Sequence, residues 1–76
     1  MIREHDCIAL TQDISDEGLQ AGDVGTVVHI HREGAAHQVE FVTLTGQTVA
    51  VATVLAPQLR PVTSRDVSHA RELAAR

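Results

Sequence analysis

Three histidines lie close together in this 76-residue sequence and offer its clearest possibility of chemistry. His29 and His31 are two residues apart, so on a β-strand both side chains leave the same face. His37 follows across a short turn, and three imidazoles within reach of one another suit Zn²⁺, Cu²⁺ or Ni²⁺. The spacing contains neither paired cysteines nor the H-x₃₋₅-H of strong zinc motifs. Alternation also places His37 on the same face as Val39 and Phe41, which we expect in the core. Solvent-facing strand positions are sufficient to explain His29 and His31, with Val28 and Ile30 on the opposite face, towards the core.

The single cysteine, Cys7, offers nucleophilic chemistry. It shares a strand face with His5, and a Cys–His pair produces a reactive thiolate. No third residue is identifiable that would orient the imidazole, and a small cysteine within a strand is more often a buried apolar side chain. One cysteine, together with a charged N-terminal segment that has no apolar stretch, predicts a cytoplasmic protein.

Acidic residues gather loosely in the first third of the chain, at Asp13, Asp16, Glu17 and Asp23. Paired carboxylates perform acid–base catalysis or bind Ca²⁺, but this spacing matches no Ca²⁺-binding loop. A polar loop needs acidic side chains for solubility alone. With no catalytic motif in the sequence, we expect no enzymatic activity and no cofactor.

The segment Gly22-Asp23-Val24-Gly25 is the strongest turn signal. Gly22 and Gly25 permit backbone conformations that a Cβ disfavours, and Asp23 can accept hydrogen bonds from nearby backbone N–H groups. A phosphate-binding loop would need a helix N-terminus or a lysine after the glycines, whereas the residues that follow are typical of a strand. Gly22, Asp23 and Gly25 are therefore assigned a structural role.

The charge distribution argues against a nucleic-acid partner, and the short apolar runs argue against a membrane span. The formal net charge is −4, the six basic residues are scattered arginines, and Phe41 is the only aromatic residue. Nucleic-acid binding normally requires a basic stripe or aromatic stacking platforms. The longest apolar run, at 49–56, is far too short to span a bilayer.

Strand signals dominate the first sixty residues, because β-branched and apolar runs alternate with glycine-containing turns. The predicted strands are Cys7–Leu10, Val24–His31, 36–44, Thr48–Leu55 and 60–62. Pro57 ends the fourth run and predicts one 3₁₀ turn at 56–59. Five short strands with tight turns are typical of a small SH3-like barrel or roll, which we assign to residues 1–62.

Residues 63–76 differ from the strands and predict a helical tail. Thr63 or Ser64 can cap a helix, and Asp66 would lie in its first turn. Apolar residues recur at helical spacing at Val67, Ala70, Leu73 and Ala74, so a helix is predicted over about 65–75. A helix of that length is marginal alone in water and must dock on another surface.

The fourth strand suggests where the helix docks. Its face formed by Ala50, Ala52 and Val54 is apolar, as is the opposite face, so both faces are expected to be covered. Small alanines would allow close approach of the predicted helix through Val67 and Leu73, or of a second copy in a homodimer. These five residues form the predicted interaction face.

Several residues follow one another at the spacing of a known family. They are Asp6, Ile8 and Leu10, then Gly18-Leu19-x-x-Gly22-Asp23-x-Gly25-Thr26-Val27-Val28, then Val39-Glu40-Phe41, Gly46-x-Thr48 and Leu59-Arg60-Pro61. With this ordered set, the chain resembles the bacterial domain of unknown function 4926 family over about residues 4 to 62. The resemblance implies an SH3-like barrel of unassigned activity and no catalytic residues. His31 and His37 stand where an aromatic residue is more usual, which argues against an aromatic-lined peptide groove.

The sequence therefore predicts a non-enzymatic, small protein-interaction or accessory module of a bacterial cytoplasm, whose partner is another protein of unknown identity or a second copy. One alternative is a metal- or ligand-binding domain that uses His29, His31 and His37. Another is a nucleic-acid-associated small barrel, because small barrels of this kind include such proteins.

Overall fold

The computed structural model describes residues 2–73, which are mostly β-structure. Five strands follow one another as β1 (Cys7–Leu10), β2 (Val24–His31), β3 (Ala36–Val42), β4 (Thr48–Leu55) and β5 (Leu59–Pro61). They form one open antiparallel sheet in the order β4-β3-β2-β1-β5. Single 3₁₀ turns occupy Ser15–Glu17, Arg32–Gly34 and Ala56–Gln58. No helix among residues 2–73 is long and apolar enough to cross a membrane.

The strand predictions are confirmed, and β1, β2 and β4 have the predicted bounds. β3 ends two residues earlier than predicted, because Thr43 begins a tight turn. The Thr43 N–H donates to the Gln47 carbonyl at 2.8 Å, and the Thr43 hydroxyl accepts from the Gln47 N–H at 3.1 Å. A threonine side chain that bonds to nearby backbone in this way competes with the sheet ladder. The predicted 3₁₀ turn after β4 is also confirmed, and β5 begins one residue earlier than expected.

The core is one cluster to which all five strands contribute. Its buried members are Ile8, Leu10, Leu19, Val27, Val39, Phe41, Ala52, Val54 and Leu59. β4 and β5 lie at opposite edges of the sheet order, yet Val54 and Leu59 belong to this same cluster. Both edge strands of the open sheet therefore contribute side chains to the same core.

A β-bulge in β2 changes which of its side chains face the core. Val27 pairs with Val39 and His29 pairs with Gln38, so Val28 is an extra residue on β2. Such a bulge shifts the alternation of side chains by one position. The prediction that Val28 faces the core is accordingly wrong: Val27 is fully buried, and Val28 is 39% exposed.

The part of the predicted interaction face that lies on β4 proves to be mostly the inner face of this strand. Ala52 and Val54 are buried in the core cluster, and Ala50 packs partly buried against it. The exposed apolar side chains of β4 are instead Val51 and Leu55, at about half exposure. The alternation of apolar and polar residues does not identify the inner face of β4, because this strand is apolar on both faces. Pairing with β3 decides which face lies inward.

The predicted C-terminal helix is also wrong as far as residue 73, since residues 65–73 form no helix. The expected first-turn residue, Asp66, instead closes a short turn in which it accepts hydrogen bonds from Thr63 and from the Arg60 guanidinium. A short helix gains little stability from its own backbone, so these ion pairs and turn contacts prevail. The last two residues of the predicted helix, 74 and 75, lie outside the described part of the chain.

Candidate functional site

The turn before β2 is built by two glycines that serve different purposes. Gly22 has a φ of +93°, a conformation that residues with a Cβ rarely adopt. Gly25 is required for space: a Cβ there would lie 2.5 Å from a methyl of Val39 and 2.8 Å from the ring of Phe41. The Gly22 N–H donates to the Leu10 carbonyl at 2.8 Å, which ties the turn to β1.

The carboxylate of Asp23 is the most strongly engaged polar group at this turn. Its side chain is only 11% exposed. The Gln20 N–H donates to Oδ2 at 2.9 Å, as expected for a turn-closing aspartate. Arg71 then approaches from the far end of the chain: Nε donates to Oδ1 at 2.9 Å and Nη2 donates to Oδ2 at 2.6 Å. Two parallel bonds of this kind are the strong, directional form of an arginine–carboxylate pair.

The electrostatics of Asp23 follow from these contacts. Burial raises the pKa of its carboxyl, but the hydrogen bonds from Arg71 and Gln20 outweigh burial and leave the pKa below the ordinary value. His69 adds a second basic group, with Nε2 3.4 Å from Oδ1. The same ion pair raises the pKa of Arg71. Asp23 is therefore an ionised, largely buried acceptor at neutral pH.

A second acceptor extends the arginine site. Nη2 of Arg71 also donates to the Gly18 carbonyl at 3.0 Å. Gly18 has a φ of +71° and ends the 3₁₀ turn at Ser15–Glu17, where it directs this carbonyl. Two carboxylate oxygens and one carbonyl thus surround a single guanidinium, and we call Asp23 with the Gly18 carbonyl the arginine site.

An open cavity of about 670 Å³ adjoins the arginine site. One wall comes from the body of the fold and the other from residues 69–73. The wall on the body is lined by Leu19, Asp23, Val24, Phe41, Val42, Thr43, Leu44, Thr45 and Val49. The cavity falls within the 300–1,000 Å³ typical of binding pockets, and its walls are mainly apolar with few polar groups.

The segment 63–73, here called the tail, is held to the fold at two points. Near its start, the Asp66 carboxylate accepts two hydrogen bonds from Arg60, at 2.7 and 3.1 Å. The bond from Arg60, with a further bond from the Thr63 N–H, lowers the pKa of Asp66 to about 2. The second attachment is at Asp23, which Arg71 and His69 both contact. Between them, Val67 is 90% exposed.

The three histidines of the predicted metal site are not brought together. The rings of His29 and His31 do meet edge to face, with centroids 4.4 Å apart, and His29 Nδ1 lies 3.5 Å from the Glu4 carboxylate. His37 pairs with Ile30, so its side chain leaves the opposite face, where it is 4% exposed. Among residues 2–73, no group of three or more His, Cys, Asp or Glu is placed to hold a metal ion.

The other predicted functional residues are distributed as follows. Cys7 is exposed, contrary to the expected burial, and forms no disulfide. Of the predicted interaction face, Val67 is exposed in the tail and Leu73, 45% exposed, lines the cavity with Arg71. Sequence reasoning missed Arg71 itself. The only available signal was an aspartate in a glycine-containing turn with no basic residue close to it in the chain. No spacing rule connects this aspartate to an arginine 48 residues away.

Comparison with known proteins identifies the family of the chain. Residues 4–61 match the family model described as Domain of unknown function (DUF4926), which confirms the resemblance noted in the sequence. The match covers more than half of the chain, so the protein belongs to this family. No curated protein and no solved structure gives a significant match.

Proposed function

We propose that this member of the DUF4926 family is a non-enzymatic protein-interaction module whose binding surface is the cavity beside the arginine site. The observation that carries the proposal is the combination of an open, mainly apolar cavity of about 670 Å³ with a largely buried carboxylate at its edge. An apolar cleft with a few placed polar groups is the usual form of a binding site. The carboxylate would orient a bound segment, and the apolar walls would provide contact area.

Exposed apolar side chains at the rim of the cavity support the same proposal. Leu44 is 96% exposed, and Val42 and Leu73 are each nearly half exposed. Single exposed apolar residues are common, but these three line one cavity. Apolar residues gathered at one opening are typical of a surface that contacts another protein.

The form of the fold that we propose to underlie this function is an SH3-like barrel. Two features support it: the sheet order β4-β3-β2-β1-β5, and the single 3₁₀ turn that separates β4 from β5. The shared core cluster, to which both edge strands contribute, adds a third. In such a barrel, the loops and the end of β3 would present the cavity at one side of a rigid scaffold.

Site-specific photo-crosslinking tests the proposed surface. A photoreactive amino acid at position 44 in the tagged full chain should crosslink one protein from native lysate, in a stoichiometric complex with a defined solution mass. The matched control is the same amino acid at position 53, because Thr53 is exposed on β4 away from the residues that line the cavity. Crosslinking that is absent at 44, or equal at 44 and 53, would refute the proposed surface.

A further inference from the structure

We propose that the arginine site recognises an arginine-bearing segment of a partner protein, and that the tail of this chain is its intramolecular competitor. This inference rests on the proposed interaction function and names the chemistry of the partner at that same surface. The partner segment would present a guanidinium to Asp23 and the Gly18 carbonyl, with an apolar residue in the adjoining cavity.

The acceptor arrangement selects arginine. Nε and Nη2 of Arg71 reach both carboxylate oxygens of Asp23, and Nη2 also reaches the Gly18 carbonyl. A guanidinium is planar and carries five N–H donors in a fixed fork, so one group satisfies all three acceptors. A lysine ammonium carries its three N–H donors on one nitrogen, so it cannot reproduce the parallel pair of bonds. The site therefore distinguishes the two cations by geometry.

The tail shows how a segment enters the site. Arg71 occupies the acceptors, and Leu73, two residues later, lines the same cavity as Phe41 and Leu44. Leu73 nevertheless remains 45% exposed, so this side chain is only partly covered by the apolar wall of the cavity. An external segment with an arginine and a larger or better placed apolar side chain can use that remaining surface.

The attachment of the tail also permits exchange. The tail has no helix among its described residues, and Val67 between its attachments is 90% exposed. Its two attachments are separate: the Asp66–Arg60 pair can persist when Arg71 leaves Asp23. Release of Arg71 from Asp23, together with the neighbouring His69, would therefore free residues 67–73 while the strands remain intact. The tethered arginine has a high effective concentration at the site, so it weakens binding of an external arginine.

A peptide-binding experiment on the full chain tests the inference. The probe is a fluorescent peptide with the sequence of residues 63–73, and the control peptide carries lysine in place of the arginine. The proteins are wild type, Arg71→Gln and the double variant Asp23→Asn/Arg71→Gln, each checked for a cooperative thermal transition. Fluorescence anisotropy gives the dissociation constants. We expect the Arg71→Gln protein to bind the arginine peptide at least tenfold more tightly than wild type does, and at least tenfold more tightly than it binds the lysine peptide. The double variant should lose this binding.

Three results would overturn the inference: no binding by Arg71→Gln, equal affinity for the two peptides, or binding that survives Asp23→Asn. The comparison of peptides on Arg71→Gln needs no change at Asp23, so it remains decisive if the double variant fails to fold. A different result would be a wild-type dimer in which Arg71 of one copy reaches Asp23 of the other. That result would show that the site binds a second copy, and it would overturn the proposal of a separate partner. Crosslinking at position 44 that is unaffected by Asp23→Asn would leave the interaction function intact and refute only the arginine chemistry.

Discussion

Arg71 and Asp23 are 48 residues apart in the chain, yet their side chains form two parallel hydrogen bonds of 2.6 and 2.9 Å. This pair connects the tail to the turn that leads into β2. It lies beside the cavity and accounts for both the position of the tail and the ionised state of Asp23. The turn is thus more than a means of entering a strand, because the same aspartate that closes it also binds the other end of the chain.

Asp23→Asn should destabilise the protein. Asparagine preserves an oxygen that can accept from the Gln20 N–H, but it removes the charge that faces Arg71. Loss of a charge-assisted, largely buried interaction costs about 1–3 kcal/mol, so the free energy of unfolding measured in urea should fall by that amount. Asp16→Asn, in the exposed part of the same loop, is the control and should change it little. Equal effects of the two substitutions would show that the Asp23 pair contributes nothing to stability.

Acid should release the tail before it unfolds the strands. The folded-state pKa of Asp66 is about 2, below its ordinary value of 3.8, and the pKa of Asp23 is also lowered. A carboxyl whose pKa is lower in the folded state stabilises it fully above the unfolded pKa, and this stabilisation is lost as the pH falls through the folded pKa. The melting temperature of wild type should therefore fall between about pH 4 and pH 2.

The double variant Asp23→Asn/Asp66→Asn provides the comparison for that pH series. It lacks both carboxyls, so its melting temperature should decline less steeply over the same pH range. Amide NMR signals of residues 67–73 should shift in wild type before those of β2 and β3 do. Parallel pH curves for the two proteins would contradict the assignment of the acid response to these two residues.

His37→Leu should stabilise the protein. His37 is buried beside Ile30 and Val54, and its Nδ1 has no hydrogen-bond partner among the described residues. A buried polar atom without a partner is costly, and an apolar side chain of similar size removes that cost. The free energy of unfolding should rise by about 1 kcal/mol. His29→Leu on the exposed face is the control, and a gain of the same size there would show that burial of His37 is not the cause.

Gly25→Ala should destabilise the protein by crowding. The added methyl would meet Val39 and the Phe41 ring at distances below 3 Å. Overfilling a packed core typically costs about 1–3 kcal/mol. A double-mutant cycle with Phe41→Leu tests the cause, because removal of the ring should relieve part of the clash and make the two effects non-additive. Additive losses in free energy of unfolding would show that the clash with the Phe41 ring is not the cause of the destabilisation.

Val54→Ala and Val51→Ala test which face of β4 lies inward. Val54 is fully buried and Val51 is 47% exposed. Full burial of a valine side chain is worth about 1.5–3 kcal/mol, so Val54→Ala should lower the free energy of unfolding by roughly that amount and Val51→Ala by much less. The reverse order in urea denaturation would show that Val51, and not Val54, faces the core.

Local signals in the sequence were sufficient for the strands and for the turn. The β-branched run at 24–31, the glycine at 22 and the proline at 57 each act on their near neighbours in the chain. The constraints they impose, on φ angles, on hydrogen-bond donors and on side-chain alternation, need no knowledge of distant residues. The bounds of β1, β2 and β4 could be predicted for this reason.

The tertiary structure alone decided the features that depend on distant contacts. A bulge at Val28 shifts the alternation of side chains along β2 by one position, and the place of the bulge follows from pairing with β3. The helical spacing around Val67 yields to ion pairs that the fold supplies at Arg60 and Asp23, because a short helix has little stability of its own. The sequence by itself thus determined the strands and the turn at Gly22 and Asp23. Only the folded chain could bring Arg71 to that turn, since no local rule links two residues that lie 48 positions apart.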